Sequence, residues 1–222
     1  NKVVAIDAAN HLYQFLTTIR APDGAFFTDS HGNVTSYIIG LFTRTTHLMK
    51  LGLKPAYVFD GEVPKLKKLE IKRRAEAKEA AAEKYTEAEK KGDIEGMKRY
   101  AARSTRLTKE MIADAKEVIE ALGLPVIQAP TEAEAQASHI VKKGDAFALA
   151  TNDADALLFG ATRIVRNLNM VGRKKKSNRL AYETIQPDLL VLEEHGRALR
   201  SSAHLYYSVC GRNKVLLPRA GD

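Results

Sequence analysis

Short apolar runs alternate with helical patterns along most of the chain. The apolar runs predict strands at residues 3–6, 56–59, 124–128, 146–150, 164–167 and 180–183. The patterns between them predict helices at 35–51, 65–91, 94–121, 131–143 and 187–194. Two further helices are predicted, one that follows the first strand and ends at residue 16, and one that begins at about residue 153. This alternation is typical of an α/β fold with a largely parallel sheet. Turn-forming residues predict a long loop at 21–34, and no element is predicted from residue 197 onward.

The chain is basic, and most of its positive charge lies in one region. Its 222 residues include 35 Lys and Arg against 27 Asp and Glu, a formal net charge of +8. Residues 65–116 hold 16 basic and 10 acidic side chains, mostly in a pair of polar helices. This pair is either a solvated helical hairpin or a cationic projection that holds a phosphate backbone, and the pattern leaves both open. A second basic run, 173–176, lies in a predicted loop.

Composition excludes several classes of protein. A hydrophobic fraction of 45% argues against disorder, and the single cysteine, Cys210, excludes an internal disulfide scaffold. No apolar run approaches the ~20 residues that cross a bilayer, and the start of the chain shows no signal-peptide pattern. We therefore expect no membrane partner.

Acidic side chains follow the predicted strands at the points where the strands end. They are Asp7, Asp60, Glu132, Glu134, Asp153 and Asp155. Taken singly, each fits a helix cap, a first-turn acid or a turn. Because an open parallel sheet binds ligands beyond the carboxyl ends of its strands, the six together predict one acidic site. Such carboxylates repel one another unless cations neutralise them.

This donor set indicates hard divalent cations. Carboxylate oxygens favour Mg²⁺ or Mn²⁺, and the histidines are too scattered to suggest zinc. Two cations beside a cationic helical pair suggest phosphodiester hydrolysis. The sequence has neither a P-loop nor a Rossmann glycine motif, which disfavours kinases, NTPases and dehydrogenases. A hydrolase of small phosphate esters is also disfavoured, because it would leave the basic helices without a role.

Five motifs in order resemble those of flap endonucleases, which are 5′ structure-specific nucleases. They are AIDAAN at 5–10, YQFLTTIR at 13–20, VFDG at 58–61, APTEAEAQA at 129–137 and DADALLFG at 153–160. The motifs resemble most those of the archaeal branch of the family, and the resemblance covers about residues 1–196. It implies a PIN-like α/β core, with a mostly parallel sheet flanked by helices and a protruding helical arch. We expect the core at 1–196, the arch region at 63–121 within it, and a divergent segment at 197–222.

The resemblance also implies an activity and its partners. Flap endonucleases cut the 5′ flap of branched DNA during replication and repair, with two Mg²⁺ ions that Mn²⁺ can replace. The sliding clamp is a partner in the full-length family, but its docking segment is missing from this sequence. We expect a monomer located inside the cell, in the cytoplasm or nucleoid if archaeal and in the nucleus if eukaryotic.

Matching motifs carry the family's functional residues onto this chain. The two metals would be held by Asp7, Asp60, Glu132, Glu134, Asp153 and Asp155. Lys67 and Arg74 match cations that contact the scissile phosphate, and their seven-residue spacing independently puts them on one helix face. Tyr13 matches an aromatic residue that stacks on a base. The matching positions near DNA are Arg20, Arg44 and Arg166.

The resemblance is lost near residue 197. The family continues with a Gly-Thr-Asp or Gly-Ser-Asp helix, whose Asp completes the metal site, and with a helix–two-turn–helix that holds duplex DNA. Residues 197–222 carry neither, which motivates the hypothesis of a truncated or frame-shifted copy. We therefore expect an impaired flap endonuclease, and the alternative is a catalytically silent DNA-binding remnant.

Overall fold

A computed structural model describes residues 1–22, 24–63, 67–153, 155–168, 172–175, 182–185, 187–192 and 198–201. These residues fall into two compact units. The first unit is Asn1–Asp7, Thr46–Val58 and Glu134–Asp222, and the second is Ala8–Thr45 and Phe59–Ala133. No helix in the described ranges has the length and apolar character that a membrane span requires.

The described residues form strands and helices in alternation. The strands are β1 (Lys2–Asp7), β2 (Leu53–Phe59), β3 (Val126–Gln128), β4 (Ala148–Ala150), β5 (Arg163–Arg166), β6 (Gly172–Lys175), β7 (Tyr182–Ile185), β8 (Asp188–Leu192) and β9 (Ala198–Ser201). The helices are α1 (Ala8–Thr18), α2 (Ser36–Lys50), α3 (Lys68–Lys90), α4 (Ile94–Arg103), α5 (Lys109–Ala121), α6 (Ala133–Lys143) and α7 (Asp155–Leu158).

The main sheet is mixed and mostly parallel, as predicted. Within the first unit its strand order is β2-β1-β4-β5-β8-β9. Strand β1 pairs in parallel with β2 and β4, and β4 pairs in parallel with β5. Strands β5, β8 and β9 are antiparallel neighbours. Val4, Ile6, Val58 and Leu149 are completely or almost completely buried, because apolar runs in parallel strands are covered on both faces.

The second unit contains helix α1, the first part of α2, helices α3, α4 and α5, and strand β3. Leu12, Leu16 and Leu41 are buried in it. Gly40 lets α2 approach α1 closely, because a Cβ at this position would lie 2.5 Å from Cγ of Phe15. The described part of the predicted long loop at 21–34 forms no helix or strand. Its pairing consists of two isolated β-bridges, Arg20 with Phe26 and Thr28 with Val34.

Three local predictions were wrong. The helix predicted at 94–121 is divided into α4 and α5, because the Thr108 side chain accepts a hydrogen bond from the Met111 N–H and caps a new helix. The helix predicted at 187–194 is strand β8, whose apolar run pairs with β5. The basic run predicted as a loop lies partly in β6, which forms a hairpin with β7. Lys176 of that run, and residues 202–222, lie outside the described residues.

Candidate active site

Four carboxylates of the first unit lie near the carboxyl ends of strands β1 and β4. Asp7 ends β1, and Asp153 and Asp155 follow β4. Glu134 lies in the first turn of α6, and its Oε1 accepts a hydrogen bond of 2.9 Å from the Thr151 hydroxyl. Hydrogen bonds from the Asp153 N–H to Thr151 and from the Asp155 N–H to Asp153 fix the turn after β4. We call Asp7, Glu134, Asp153 and Asp155 the first-unit carboxylate group.

Both burial and the charges of the other members act on Glu134. Burial raises the pKa of its carboxyl to about 7, and the hydrogen bond from Thr151 opposes that rise. The negative charges of Asp153, Asp7 and Asp155 then raise the same pKa further. The surroundings of Glu134 therefore favour its protonated, neutral form.

The donor chemistry fits a hard divalent cation. All donors of the group are carboxylate oxygens, and a cation would relieve the repulsion that raises the pKa of Glu134. Over the described ranges, no three Asp, Glu, His or Cys side chains are already arranged to hold a metal ion. The first-unit carboxylate group thus has the negative charge that a cation site requires. Its side chains would have to move for three of them to hold a cation together.

The other two predicted ligands lie in the second unit. Asp60 follows β2, and its Oδ1 accepts a hydrogen bond of 2.8 Å from the Ala133 N–H. Glu132 forms an ion pair of 2.8 Å with Lys67. Gly61 allows the backbone to pass close to Ala129, because an added Cβ would collide with that carbonyl. Two predicted metal ligands and one predicted phosphate cation are therefore positioned by contacts within this unit.

Helix α3 carries the predicted phosphate cations. Lys67 is its N-cap residue, and Arg74 lies two turns further along the helix. The Arg74 Nε donates to Glu70 at 2.9 Å, and Arg73 also pairs with Glu70. Hydrogen bonds from Arg73 and then Arg74 hold the pKa of Glu70 at about 2. Both cations thus face solvent with a carboxylate partner that an incoming phosphate could replace.

The remaining predicted residues have different environments. Tyr13 on α1 has the Lys78 ammonium 4.8 Å from its ring centroid. Arg20 makes hydrogen bonds within the second unit, and Arg44 lies half-buried on α2. Arg166 ends β5, and its buried Nε has no hydrogen-bond partner within the described part of the chain.

Two domain models of one nuclease family match most of the chain. The XPG N-terminal domain matches residues 1–81, and the XPG I-region matches residues 123–210. Flap endonuclease 1 of Pyrococcus furiosus is 51% identical over 193 residues, which cover 87% of this chain and 57% of the relative. The chain belongs to the flap endonuclease family of XPG nucleases.

Other members agree with this membership. Flap endonuclease 1 of Hyperthermus butylicus is 52% identical over 198 residues, 89% of this chain and 57% of the relative. The solved flap endonuclease-1 of Methanococcus jannaschii has 44% identity and a TM-score of 0.59, over 86% of this chain and 56% of that one. The catalytic core of Rad2 in complex with DNA substrate has 30% identity and a TM-score of 0.52, over 76% and 43%. The chain spans about half the length of these relatives.

Family motifs did not identify three side chains that shape the candidate site. Thr151 donates to Glu134, Glu70 holds Arg74, and Lys78 covers Tyr13. Thr151 could have been found, because it is a polar residue directly after a buried strand, as the predicted acids are. Glu70 could also have been found from its spacing of three and four residues to Arg73 and Arg74. Lys78 is 65 positions from Tyr13, and no local signal connects them.

Proposed function

We propose that this chain is a divalent-metal-dependent 5′ flap endonuclease, which hydrolyses a phosphodiester bond of branched DNA. Family membership supports the reaction class. The observation that carries the proposal is the first-unit carboxylate group: burial raises the pKa of Glu134 to about 7, and the charges of Asp153, Asp7 and Asp155 act in the same direction. Carboxylates gathered in this way repel one another unless a cation neutralises their charge.

The metal ligands are assigned as follows. Asp7, Glu134, Asp153 and Asp155 would hold divalent cations through their carboxylate oxygens, and the family motifs add Asp60 and Glu132. We propose two Mg²⁺ ions, which Mn²⁺ can replace. When bound, such ions supply positive charge that activates water and neutralises the charge developing on the phosphate. Thr151 keeps the Glu134 carboxylate oriented through its hydrogen bond.

The cations of α3 act on the DNA backbone. Lys67 and Arg74 exchange their carboxylate partners, Glu132 and Glu70, for phosphate oxygens of the substrate. Exposed ion pairs contribute little stability, so this exchange costs little. Tyr13 stacks on a base beside the cleaved bond, once Lys78 moves from its ring. Arg44 and Arg166 contact the DNA.

We propose that the protein acts as a monomer inside the cell.

A catalytically silent DNA-binding protein is the second candidate. The observation that favours it is the absence, among the described side chains, of a group already arranged to hold a metal. In that case the basic helices would bind DNA without cleavage.

The sliding clamp is proposed as a partner of full-length members of the family, and not of this chain.

Cleavage of a labelled 5′-flap duplex tests the two candidates. The same strand is presented as a flap, as a hairpin and as a single strand, with Mg²⁺ or with EDTA. The endonuclease proposal predicts Mg²⁺-dependent cutting of the flap substrate near its junction. DNA binding without cutting under any metal condition would instead establish the silent protein, and absence of both would contradict the two candidates together.

A further inference from the structure

The strand end that carries Asp60 is held by the loop between β3 and α6. The Ala129 N–H donates a hydrogen bond of 2.9 Å to the Phe59 carbonyl, directly before Asp60. The Gly61 N–H, directly after it, donates at 2.6 Å to the Thr131 carbonyl. Backbone hydrogen bonds therefore fix the chain on both sides of this predicted metal ligand.

The Gln128 side chain connects the same strand end to helix α5. Its Nε2 donates a hydrogen bond to the Asp60 backbone carbonyl and lies 3.5 Å from the Phe59 carbonyl oxygen. Its Oε1 accepts a hydrogen bond of 2.8 Å from the Lys116 ammonium, which lies 5.0 Å from the Phe59 ring centroid. Lys116, Gln128 and Asp60 thus form a chain of hydrogen bonds, whose two steps span 12 and 68 positions of the sequence.

The two partners of this side chain require an amide. A lysine ammonium only donates hydrogen bonds, and a backbone carbonyl only accepts them. Glutamine carries an acceptor and a donor on one planar group, so it serves both partners at once. The bond from the ammonium is charge-assisted, and it orients the amide with its nitrogen toward the strand end. A methionine of similar length could not donate to the carbonyl.

We propose that Gln128 and Lys116 are positioning residues that hold Asp60 in place as a ligand of a divalent cation, and this inference rests on the proposed function. The Asp60 Oδ1 accepts a hydrogen bond of 2.8 Å from the Ala133 N–H, at the start of α6. The backbone and the carboxylate of Asp60 are therefore both tied to the chain segment that carries Glu132. Metal ligands must keep their positions to within about 0.5 Å, so the groups that hold a ligand act on metal affinity.

A positioning role of Gln128 can be separated from a role in stability. Gln128 is exposed, and Lys116 is half-buried. Replacing an exposed glutamine leaves no cavity in the core, so we expect a small effect on the free energy of unfolding. A loss of metal affinity at unchanged stability would therefore report the position of Asp60.

Mn²⁺ binding to the full chain, followed by the electron paramagnetic resonance signal of the free ion, tests this role without DNA. Gln128→Met should weaken Mn²⁺ binding about tenfold, while the melting temperature in EDTA changes by less than about 2 °C. Lys116→Met should weaken binding about threefold, and Lys116→Arg should retain it, because a guanidinium can donate to the same amide oxygen. The double variant of Lys116→Met and Gln128→Met should bind like Gln128→Met alone.

Exposed Lys109 of α5, as Lys109→Met, is the matched control for the loss of a lysine. Unchanged Mn²⁺ binding in Gln128→Met would overturn the proposal. An equal loss of binding in Lys109→Met and Lys116→Met would also overturn it, because the effect would then come from charge alone.

Cleavage at graded Mg²⁺ concentrations separates positioning from a general loss of structure. Gln128→Met should raise the Mg²⁺ concentration for half-maximal cleavage of a 5′-flap duplex about tenfold, and saturating Mg²⁺ should restore the rate to within about threefold. Affinity for the same duplex in EDTA should change less than about twofold, because the variant removes no positive charge. A cleavage rate that falls by the same factor at every Mg²⁺ concentration would overturn the proposal.

The outcomes for this inference and for the proposed function are distinct. If the unmodified chain binds Mn²⁺ but cuts no flap, the proposed function fails, and the Mn²⁺ affinities still decide the role of Gln128. If the unmodified chain binds no Mn²⁺, the positioning proposal is overturned. If Gln128→Met does not fold, as judged by circular dichroism, Lys116→Met tests the same chain of hydrogen bonds. Mn²⁺ binding by Lys116→Met at the level of the unmodified chain would then overturn the proposal.

Discussion

A half-buried carboxyl beside three other carboxyls is unstable as an anion, and Glu134 is in that position. Its pKa in the folded protein, about 7, lies above the ordinary value of 4.5. The folded state therefore binds this proton more tightly than the unfolded state, and stability is lost as the pH rises from 4.5 through 7. Above pH 7 the group weakens the metal-free fold.

Glu134→Gln should therefore stabilise the metal-free protein. At pH 8 in EDTA we expect a gain of about 1 kcal/mol in the free energy of unfolding, a value reduced for solvent screening of a half-buried group. Added Mg²⁺ should stabilise the unmodified chain more than the variant, because ligand binding adds to stability by mass action. Denaturant unfolding followed by circular dichroism measures both effects. Glu120→Gln, at an exposed site of α5, is the control, and an equal gain there would contradict the assignment.

His11 gives the fold a second pH dependence of opposite sign. Burial lowers the pKa of its imidazole from 6.5 to about 4, and the ring packs 5.8 Å from that of Phe15. The unfolded state binds the proton more tightly, so stability is present above pH 6.5 and is lost as the pH falls to 4. We expect a loss of about 2 kcal/mol from this group between pH 7 and pH 5.

The variant His11→Gln should flatten the stability profile in that pH range. Urea unfolding at pH 5, 6 and 7 measures the difference between the variant and the unmodified chain. The control is His31→Gln, because His31 is exposed in a loop. A pH profile that is the same in His11→Gln and the unmodified chain would show that His11 is not buried as a neutral ring.

At the scale of elements, helix α3 presents both predicted phosphate cations to solvent. Lys67→Ala with Arg74→Ala should reduce the single-turnover cleavage rate about 100-fold or more and change flap affinity less than about threefold, because such cations act where charge develops. The neighbouring pair, as Lys68→Ala with Arg73→Ala, removes the same charge from another helix face and is the matched control. Equal losses of rate and affinity would make Lys67 and Arg74 ordinary backbone contacts.

Helix α5 begins at a side-chain cap. Thr108 accepts a hydrogen bond of 3.3 Å from the Met111 N–H, which would otherwise have no partner in the first turn. Thr108→Ala should lower the free energy of unfolding by about 1 kcal/mol. Thr86→Ala in the exposed part of α3 is the control, and thermal unfolding compares the two. Equal melting temperatures for both variants would contradict the role of the cap.

Elements were predictable where the local pattern and the tertiary structure agree. The apolar runs before Asp7 and Asp60 become strands β1 and β2, since buried parallel strands read as continuous apolar segments. Strand β8 was not predictable, because Pro187 and the following leucines fit a helix start equally well and only pairing with β5 decides. The contacts of Arg20 with α4 join residues more than 80 positions apart, which no periodic pattern encodes.

At the scale of the whole molecule, the parallel sheet explains why residues distant in sequence form one charged group. Strands β1 and β4 are neighbours, with Ile6 opposite Ala150. Asp7 and the turn that carries Asp153 therefore follow the same end of adjacent strands. The sequence predicted these positions from strand ends, but the raised pKa of Glu134 depends on burial and on charges that only the folded chain brings together.

Asp153→Asn gives the most direct test of metal-dependent cleavage. It removes one negative charge from the first-unit carboxylate group and leaves every basic side chain that could bind DNA in place. Cleavage of a labelled 5′-flap duplex at limiting Mg²⁺ and binding of the same duplex in Ca²⁺ are measured on one preparation. We predict that cleavage falls about 100-fold or more while the Kd changes less than about threefold, because the metal charge acts on the reacting phosphate. Cleavage by Asp153→Asn at the rate of the unmodified chain would contradict the assigned metal site.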